Sequence, residues 1–308
     1  MFDIKRQFTF MKYKHIYYIV SVAIIVLGMG IGMVRGFNYG IDFTGGTMMQ
    51  LDMGKTVTTE DVGQLQNLLE KDGIEADIVQ AGKENHEVII RTVQALDTAA
   101  REQVLGDIFE KYGLNDKSVL TIEQFGPSVG DMLKKNAVKA VLISSIGMLI
   151  YITIRFEWKL GLASILAVLH DVLILIAFYG AFHMTINNPF IAAVLTIVGY
   201  SIMDTIVIFD RVRENLGFMK KSKLEELIDH SINQTLGRSL MTSVGTIAAI
   251  IPLCILGGET IRHFTLPLII GIVAGTGSSI FIASPLYYEI CRLTSGTKYK
   301  GKKSSSRD

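Results

Sequence analysis

Ile16–Val34 reads IYYIVSVAIIVLGMGIGMV, a run without a single charged side chain. As a helix rising 1.5 Å per residue, such a run crosses the roughly 30 Å hydrocarbon core of a bilayer. The stretches 239–256 and 264–288 are equally free of charge. Three further apolar segments, at 137–154, 160–182 and 189–209, bring the expected spans to six. The composition agrees: the 308 residues are 49% hydrophobic and only 19% charged, with a mean hydropathy of +0.39. A soluble chain carries about 25% charge. An ordinary cytosolic enzyme is excluded, and an α-helical multi-pass membrane protein is indicated. The net charge of +1 gives no reason to expect nucleic-acid binding.

The basic lead of the first run (Lys5, Arg6, Lys12, Lys14) would suit a signal peptide. The apolar part is longer than the ~7–15 residues of a signal-peptide core, however, and no small-x-small cleavage site ends it. A retained anchor is expected. Six spans put both termini on one side. Arg155 and Lys159, then Arg211, Arg213, Lys220, Lys221, Lys223 and Arg238, and finally the tail Lys298, Lys300, Lys302, Lys303 and Arg307 all fall on that side. The opposite short loops hold no Lys or Arg at 183–188 and only Arg262 at 257–263. Positive charge marks the cytoplasmic side, so both termini are expected in the cytoplasm, with 1–35 forming the N-terminus and first span and 292–308 a basic cytoplasmic tail. Cys254 and Cys291 fall near opposite ends of successive spans and read as small apolar residues rather than a disulfide.

Residues 36–136 interrupt the apolar pattern with 17 Asp or Glu against 9 Lys or Arg. A segment of this size and sign suits an exported, extracytoplasmic domain with its own small core. Strands are expected at 47–53, 76–80, 86–92 and 118–125. Helices are expected after Thr58-Thr59, where acids follow at the positive dipole end, and near 98–112. The order β-α-β-β-α-β is the split pattern of an α+β, ferredoxin-like domain with both helices on one sheet face. His86 stands alone at a strand start and reads as a surface residue. Gly45-Gly46 lacks the Lys-Ser/Thr that would make a phosphate loop. No metal-ligating cluster is apparent.

The informative residues are ionisable ones where lipid should be. Asp171, beside His170, lies near the middle of 160–182, and Asp204 lies about two-thirds along 189–209. A charged Asp at a span centre costs about 2.5–3.5 kcal/mol on insertion scales, so it needs a partner, a watery cavity or a proton. Asp204 sits among Gly199, Tyr200, Ser201 and Thr205 in an otherwise aliphatic helix, and Ser201 shares its face. The bland reading of either Asp is a packing hydrogen bond from a protonated carboxyl. Arg238 opens the fifth span, followed by Thr242, Ser243 and Thr246; it reads either as a snorkelling cation or as a counter-charge to Asp204. Asp210, Arg211, Arg213 and Glu214 read as interface anchors. Gly271 and Gly275 make a small-xxx-small match suggesting close helix contact. The 216–238 region, with Leu224, Leu227, Ile228, Ile232 and Leu236 at helical spacing, resembles an amphipathic helix on the cytoplasmic surface of the 137–291 membrane region.

Taken with these features, several motifs resemble the SecD/SecF family. GIDFTGG at Gly40–Gly46 resembles the family signature that follows the first span, with Asp42, Phe43, Gly45 and Gly46 as its marked positions. FEWKLG at Phe156–Gly161, LHDVLI at Leu169–Ile174, VGYSIMDTIVIFDRVREN at Val198–Asn215 and INQTLGRSLMTS at Ile232–Ser243 are similar to the SecF branch. The resemblance implies a half-unit of the RND transporter superfamily: six spans with an extracytoplasmic domain between the first and second. It implies a multi-pass protein of the bacterial cytoplasmic membrane, without cofactor or hydrolytic chemistry, that pairs with SecD. The pair would use a proton or sodium gradient to promote preprotein translocation through the SecYEG channel, alongside the SecA ATPase. By motif, Asp204 would be the ion-coupling carboxylate, Arg238 its basic partner and Asp171 a supporting candidate, with His170, Ser201, Thr205 and Thr242 around them. Three rival readings are a half-size RND exporter of lipids or small molecules, an intramembrane aspartyl protease, and a passive scaffold. The protease reading is weakened because Asp204 stands in Ser-Ile-Met-Asp rather than GxGD.

Overall fold

A computed structural model describes residues 8–155, 157–219, 223–257 and 259–294. The chain enters through α1 (Lys14–Arg35) and makes a one-turn helix, α2 (Ile41–Thr44), before the α+β domain begins. That domain runs β1 (Gly46–Asp52), α3 (Thr59–Lys71), β2 (Ala76–Ala81), β3 (Glu87–Thr92), α4 (Thr98–Tyr112) and β4 (Val119–Phe125). Its sheet has the order β2-β3-β1-β4 with all neighbours antiparallel.

Local chemistry explains these boundaries. Thr58 caps α3 by accepting from the Asp61 N–H, and the Asp61 side chain returns a bond to the Thr58 N–H, so two otherwise orphaned donors are satisfied together. Asp97 caps α4 by accepting from the Ala100 N–H at 2.8 Å, and Gly113 ends it in the left-handed region. Strand alternation sends Met49, Leu51, Val88 and Ile90 to one face, where they meet Leu65 and Leu69 of α3 and Val104 and Ile108 of α4. Both helices therefore cover the same face. The other face, with Met48, Gln50, Ile89, Arg91, Glu123 and Phe125, looks onto the end of the helix bundle across a cavity of about 220 Å³. Burial there, and then the negative charge of Asp42, push the Glu123 carboxyl above the usual carboxylate range.

The membrane region comprises α5 (Pro127–Arg155), α6 (Trp158–Ala181), α7 (Asn188–Phe218), α8 (Leu224–Leu256), and α9 (Glu259–Ser278) joined to α10 (Ser284–Thr294) by a π turn at Ser279–Ala283. Among the described residues these make, with α1, six helices long and apolar enough to cross a membrane. They divide into two groups: half or more of the apolar window of α6, of α7 and of the last span is buried, against 11% or less for α1, α5 and α8. The inner three carry Asp171, Asp204 and the serines at and beside the π turn, Ser278, Ser279 and Ser284.

Close approach between helices rests on small residues. A Cβ on Gly28 would lie 2.5 Å from the Ala177 carbonyl oxygen, and one on Gly32 would lie 2.9 Å from Gly180 Cα, so α1 seats against α6 through a GxxxG pair. Gly271 and Gly275 do the same for α9 against Ile197 and Ser201 of α7.

Two boundaries differ from the sequence expectation. The helix of the second span starts at Pro127 rather than near 137, because Asp131, Lys134 and Lys135 lower hydropathy without interrupting the helix. The amphipathic stretch is not a separate surface helix. It is the first part of α8, and Leu224, Leu227, Ile228, Ile232 and Leu236 pack into a protein core with Phe10, Met11, Phe209, Val212 and Tyr287. An apolar stripe has the same spacing whether lipid or protein covers it. The N-terminal segment lies over this region: Asp229 Oδ1 accepts from the Phe10 and Met11 N–H groups at 2.9 Å each, and buried Lys14 pairs with Glu225 and Glu289 at 3.2 and 3.0 Å. The basic tail from Lys298 onward, and Lys5, Arg6, Lys220 and Lys221, lie outside the described residues.

Candidate functional site

Asp171 and Asp204 are both buried, at 1% and 3% exposure, but in different chemistry. Asp171 is saturated. Its Oδ2 accepts from Ser201 Oγ of α7 at 2.5 Å and from Ser278 Oγ of α9 at 2.8 Å. Its Oδ1 lies 3.0 Å from His170 Nδ1, and His170 Nε2 contacts Ser21 Oγ of α1. Four helices thus converge on this carboxyl. A buried carboxyl so supplied satisfies the rule that interior polar atoms find partners.

Asp204 is under-partnered by comparison. Ser239 and Ser243 of α8 and Thr276 of α9 surround it. All three hydroxyls bear on the carboxyl, and Ser243 Oγ stands 3.5 Å from Oδ2, the outer limit of a hydrogen bond. Ser243 is itself engaged with Thr276 at 2.6 Å, and the buried Ser239 hydroxyl has no other partner among the described residues. Tyr200 reaches Thr246 at 3.3 Å and Ser243 at 3.5 Å. Thr205 pairs with Ser279 at 2.8 Å. The result is a buried carboxyl in a nest of hydroxyls that are only loosely committed to it. Such a nest can hold the group protonated, or offer oxygens to a small cation.

The expected site residues are therefore brought together in part. Ser201 serves Asp171, not Asp204, although it shares a helix face with the latter. His170 also serves Asp171. Thr205 is next to Asp204 but bonds across to the π turn. Thr242 bonds back to the Arg238 and Ser239 carbonyls, and Ser243 is the residue that faces Asp204. Arg238 is exposed on α8; its charge acts on the Asp204 carboxyl, but among the described residues no ion pair joins the two. The sequence reading missed Ser21, Ser239, Thr276, Ser278 and Ser279. The last three were visible as the polar residues of an otherwise aliphatic run, but nothing in their spacing named their partners. Arg211 pairs with Glu214 at 2.5 Å and with Gln234 at 2.6 Å, as interface anchors would.

The signature turn lies at the opposite boundary, beneath the sheet. Phe43 is buried against Leu175, Tyr179 and Phe190, and Asp42 Oδ2 accepts from the Asn188 N–H at 2.6 Å. Gly45 and Gly46 both have positive φ, +76° and +129°. Among the described residues no group of three His, Cys, Asp or Glu side chains could hold a metal ion.

A six-span bundle with an α+β domain between its first two spans, and a buried carboxyl in the fourth, defines the class: a multi-pass α-helical membrane protein with one domain outside its spans. Comparison with known proteins narrows it. Residues 104–292 match the model of "Protein export membrane protein SecD/SecF, C-terminal", and residues 31–57 match the "SecD/SecF GG Motif". The protein translocase subunit SecF of Sebaldella termitidis is 41% identical over 303 residues, covering 97% of both chains. The protein translocase subunit SecDF of Thermus thermophilus is 39% identical over 297 residues, covering 93% of this chain and 39% of that one. A crystal structure of SecDF from the same genus, described as a translocon-associated membrane protein, superposes with a TM-score of 0.84 at 38% identity over 94% of this chain and 39% of that chain. The chain belongs to the SecF family of protein translocase subunits, with a role in Sec protein export.

Proposed function

We propose that this protein pairs with a SecD-type chain in the bacterial cytoplasmic membrane, termini in the cytoplasm, and uses an ion gradient to draw preproteins outward. The SecYEG channel would supply the path and SecA the ATP-driven step, and this chain would have no hydrolytic chemistry of its own. Support for the partner comes from the fused SecDF relatives, of which this chain spans 39% and 36%. The missing part is the expected SecD half.

The observation that carries the ion coupling is Asp204, buried at 3% exposure in mid-span among the Ser239, Ser243 and Thr276 hydroxyls, with Ser243 at 3.5 Å and the Arg238 charge acting on it without an ion pair among the described residues. A group left this poorly satisfied is costly in a membrane unless its occupancy changes during function. Moving one elementary charge through 100 mV releases about 2.3 kcal/mol, enough to bias a two-state rearrangement if protonation or cation binding favours one state. Arg238 acts in the same step through another arrangement of α7 and α8, not through a standing salt bridge. Asp171, already saturated, holds α6, α7 and α9 in register.

The test is preprotein export into vesicles containing SecYEG, SecA and the SecD–SecF pair, with and without a gradient. Asp204→Asn preserves size and hydrogen bonding but removes the charge. It should abolish the gradient-dependent increment while ATP-driven export continues. Replacing the proton gradient by a sodium gradient identifies the ion. An Asp204→Asn protein that responds normally to either gradient would leave the scaffold reading in its place.

A further inference from the structure

The N-terminus of α7, the helix that carries Asp204, is capped from outside. A helix leaves its first N–H groups without intrahelical partners. Three of the first four are accounted for here: Asn188 donates to Asp42 Oδ2 at 2.6 Å, Pro189 has no N–H, and Phe190 donates to the Asn187 side chain at 3.1 Å. Asp42 is the one contributor from another element, 146 positions away. Its carboxylate is buried, at 7% exposure, and its charge stands at the positive end of a 31-residue helix.

Asp42 is itself held on several sides. Gly40 N–H donates to the Ile186 carbonyl at 2.8 Å, and Ile186 N–H donates to the Asn38 carbonyl at 2.8 Å, so the segment before the turn is zipped to the loop that leads into α7. Gly46 opens β1, and its missing Cβ lets the turn press against the Thr92 carbonyl of β3. Gly130 of α5 lets that helix approach the Phe43 carbonyl, where a Cβ would stand at 2.7 Å. The one-turn helix α2 is thus fixed to the sheet, to α5 and to α7 at once. Asp204 lies 16 residues beyond Asn188, about 24 Å along the helix axis.

We propose that Asp42 is a positioning residue that couples the α+β domain to α7, so that ion-dependent movement of the Asp204 helix carries the domain with it. The inference rests on the reading of Asp204 as the ion-coupling group and adds the route by which its state reaches the domain.

Three variants test it in the SecD-paired protein. Asp42→Ala removes the acceptor. Asn188→Pro removes the donor while keeping a residue favoured at the first helical position, and Asn187 already has the extended backbone a following proline requires. Asp42→Asn keeps an acceptor oxygen in place. Couplings between sites are typically 5–150-fold, so Asp42→Ala and Asn188→Pro should cut the gradient-dependent export increment by at least about fivefold, and Asp42→Asn should retain most of it. The second readout is the electron-spin distance between labels at Lys117→Cys, on the domain, and Phe182→Cys, on the bundle, with Cys254 and Cys291 replaced. That distance should shift on imposing a gradient in the parent protein and stay fixed in Asp42→Ala and Asn188→Pro. Where Asp42→Ala does not accumulate in the membrane, Asn188→Pro carries the test. A normal gradient response and a normal distance shift in either variant would overturn the proposal. If Asp204→Asn abolishes the increment while they respond normally, this inference alone fails; if Asp204→Asn also responds normally, the reading beneath it has failed.

Discussion

Gly46→Ala should be the most damaging single methyl in the α+β domain. Gly46 has φ +129°, where an L side chain costs roughly 1–3 kcal/mol in backbone strain. Its Cβ would overlap the Thr92 carbonyl oxygen and stand 3.0 Å from both Thr92 C and Val93 Cα. These are backbone atoms of a paired strand, so no side chain can swing away. Relief requires β1 and β3 to part at the neighbouring Thr47–Thr92 pair, which adds about 1 kcal/mol for a lost ladder bond and 1–3 kcal/mol of overpacking. The sum is about 3–7 kcal/mol against the ~5–15 kcal/mol that hold a typical domain together. Amide hydrogen exchange of β1 and β3 in the intact protein reads this directly: protection should fall by about 10²–10⁵-fold. Gly54→Ala, at φ +63° with open space around it, should cost only about 1–2 kcal/mol. Gly106→Ala, inside α4 with nothing nearby, should gain about 0.5–1 kcal/mol. A Gly46→Ala protein that loses less protection than Gly54→Ala would refute the reasoning.

Gly28→Leu should loosen α1 from α6 by about 1–3 kcal/mol in detergent unfolding, because the Ala177 backbone leaves no room, while Gly30→Leu, facing open space, should be tolerated; equal effects would contradict the packing described. The Lys55 ammonium, and then the Thr58 backbone N–H, hold the Asp61 carboxyl at about 2, below its ordinary 3.8. The native state therefore binds fewer protons than the unfolded one. The pair stabilises α3 fully above pH ~5 and less as pH falls toward 2, by about 1–2 kcal/mol after allowing for the half-exposed Lys55. Asp61→Asn should flatten that part of the acid melting profile, seen by circular dichroism at pH 6, 4 and 2.5; an unchanged profile would mean the pair contributes nothing.

The sequence by itself determined the architecture, because the forces that fix it are local or compositional. A run such as Ile16–Val34 must close its own backbone hydrogen bonds in lipid and can only be a helix. Strand alternation, the Thr58 helix start and the apolar helix faces placed each element of the α+β domain within a residue or two, since each signal lies within a few positions of the element it bounds. The expense of a carboxyl in mid-span also marked Asp171 and Asp204 without any structure. What only the tertiary structure decided is which groups those carboxyls meet. Ser201 and Asp204 share a helix face, yet α6 and α9 claim Ser201 for Asp171. Ser278, 107 positions from Asp171, reaches it because glycines at 271 and 275 let α9 lie against α7. Arg238 turns outward although its spacing allowed an ion pair. The stripe of α8 from Leu224 to Leu236 meets protein rather than lipid. Asp42 finds the start of α7 from far along the chain. Periodicity records which face of a helix is apolar or polar, but the identity of the facing partner depends on where other helices pack, and that is set by contacts between residues remote in sequence.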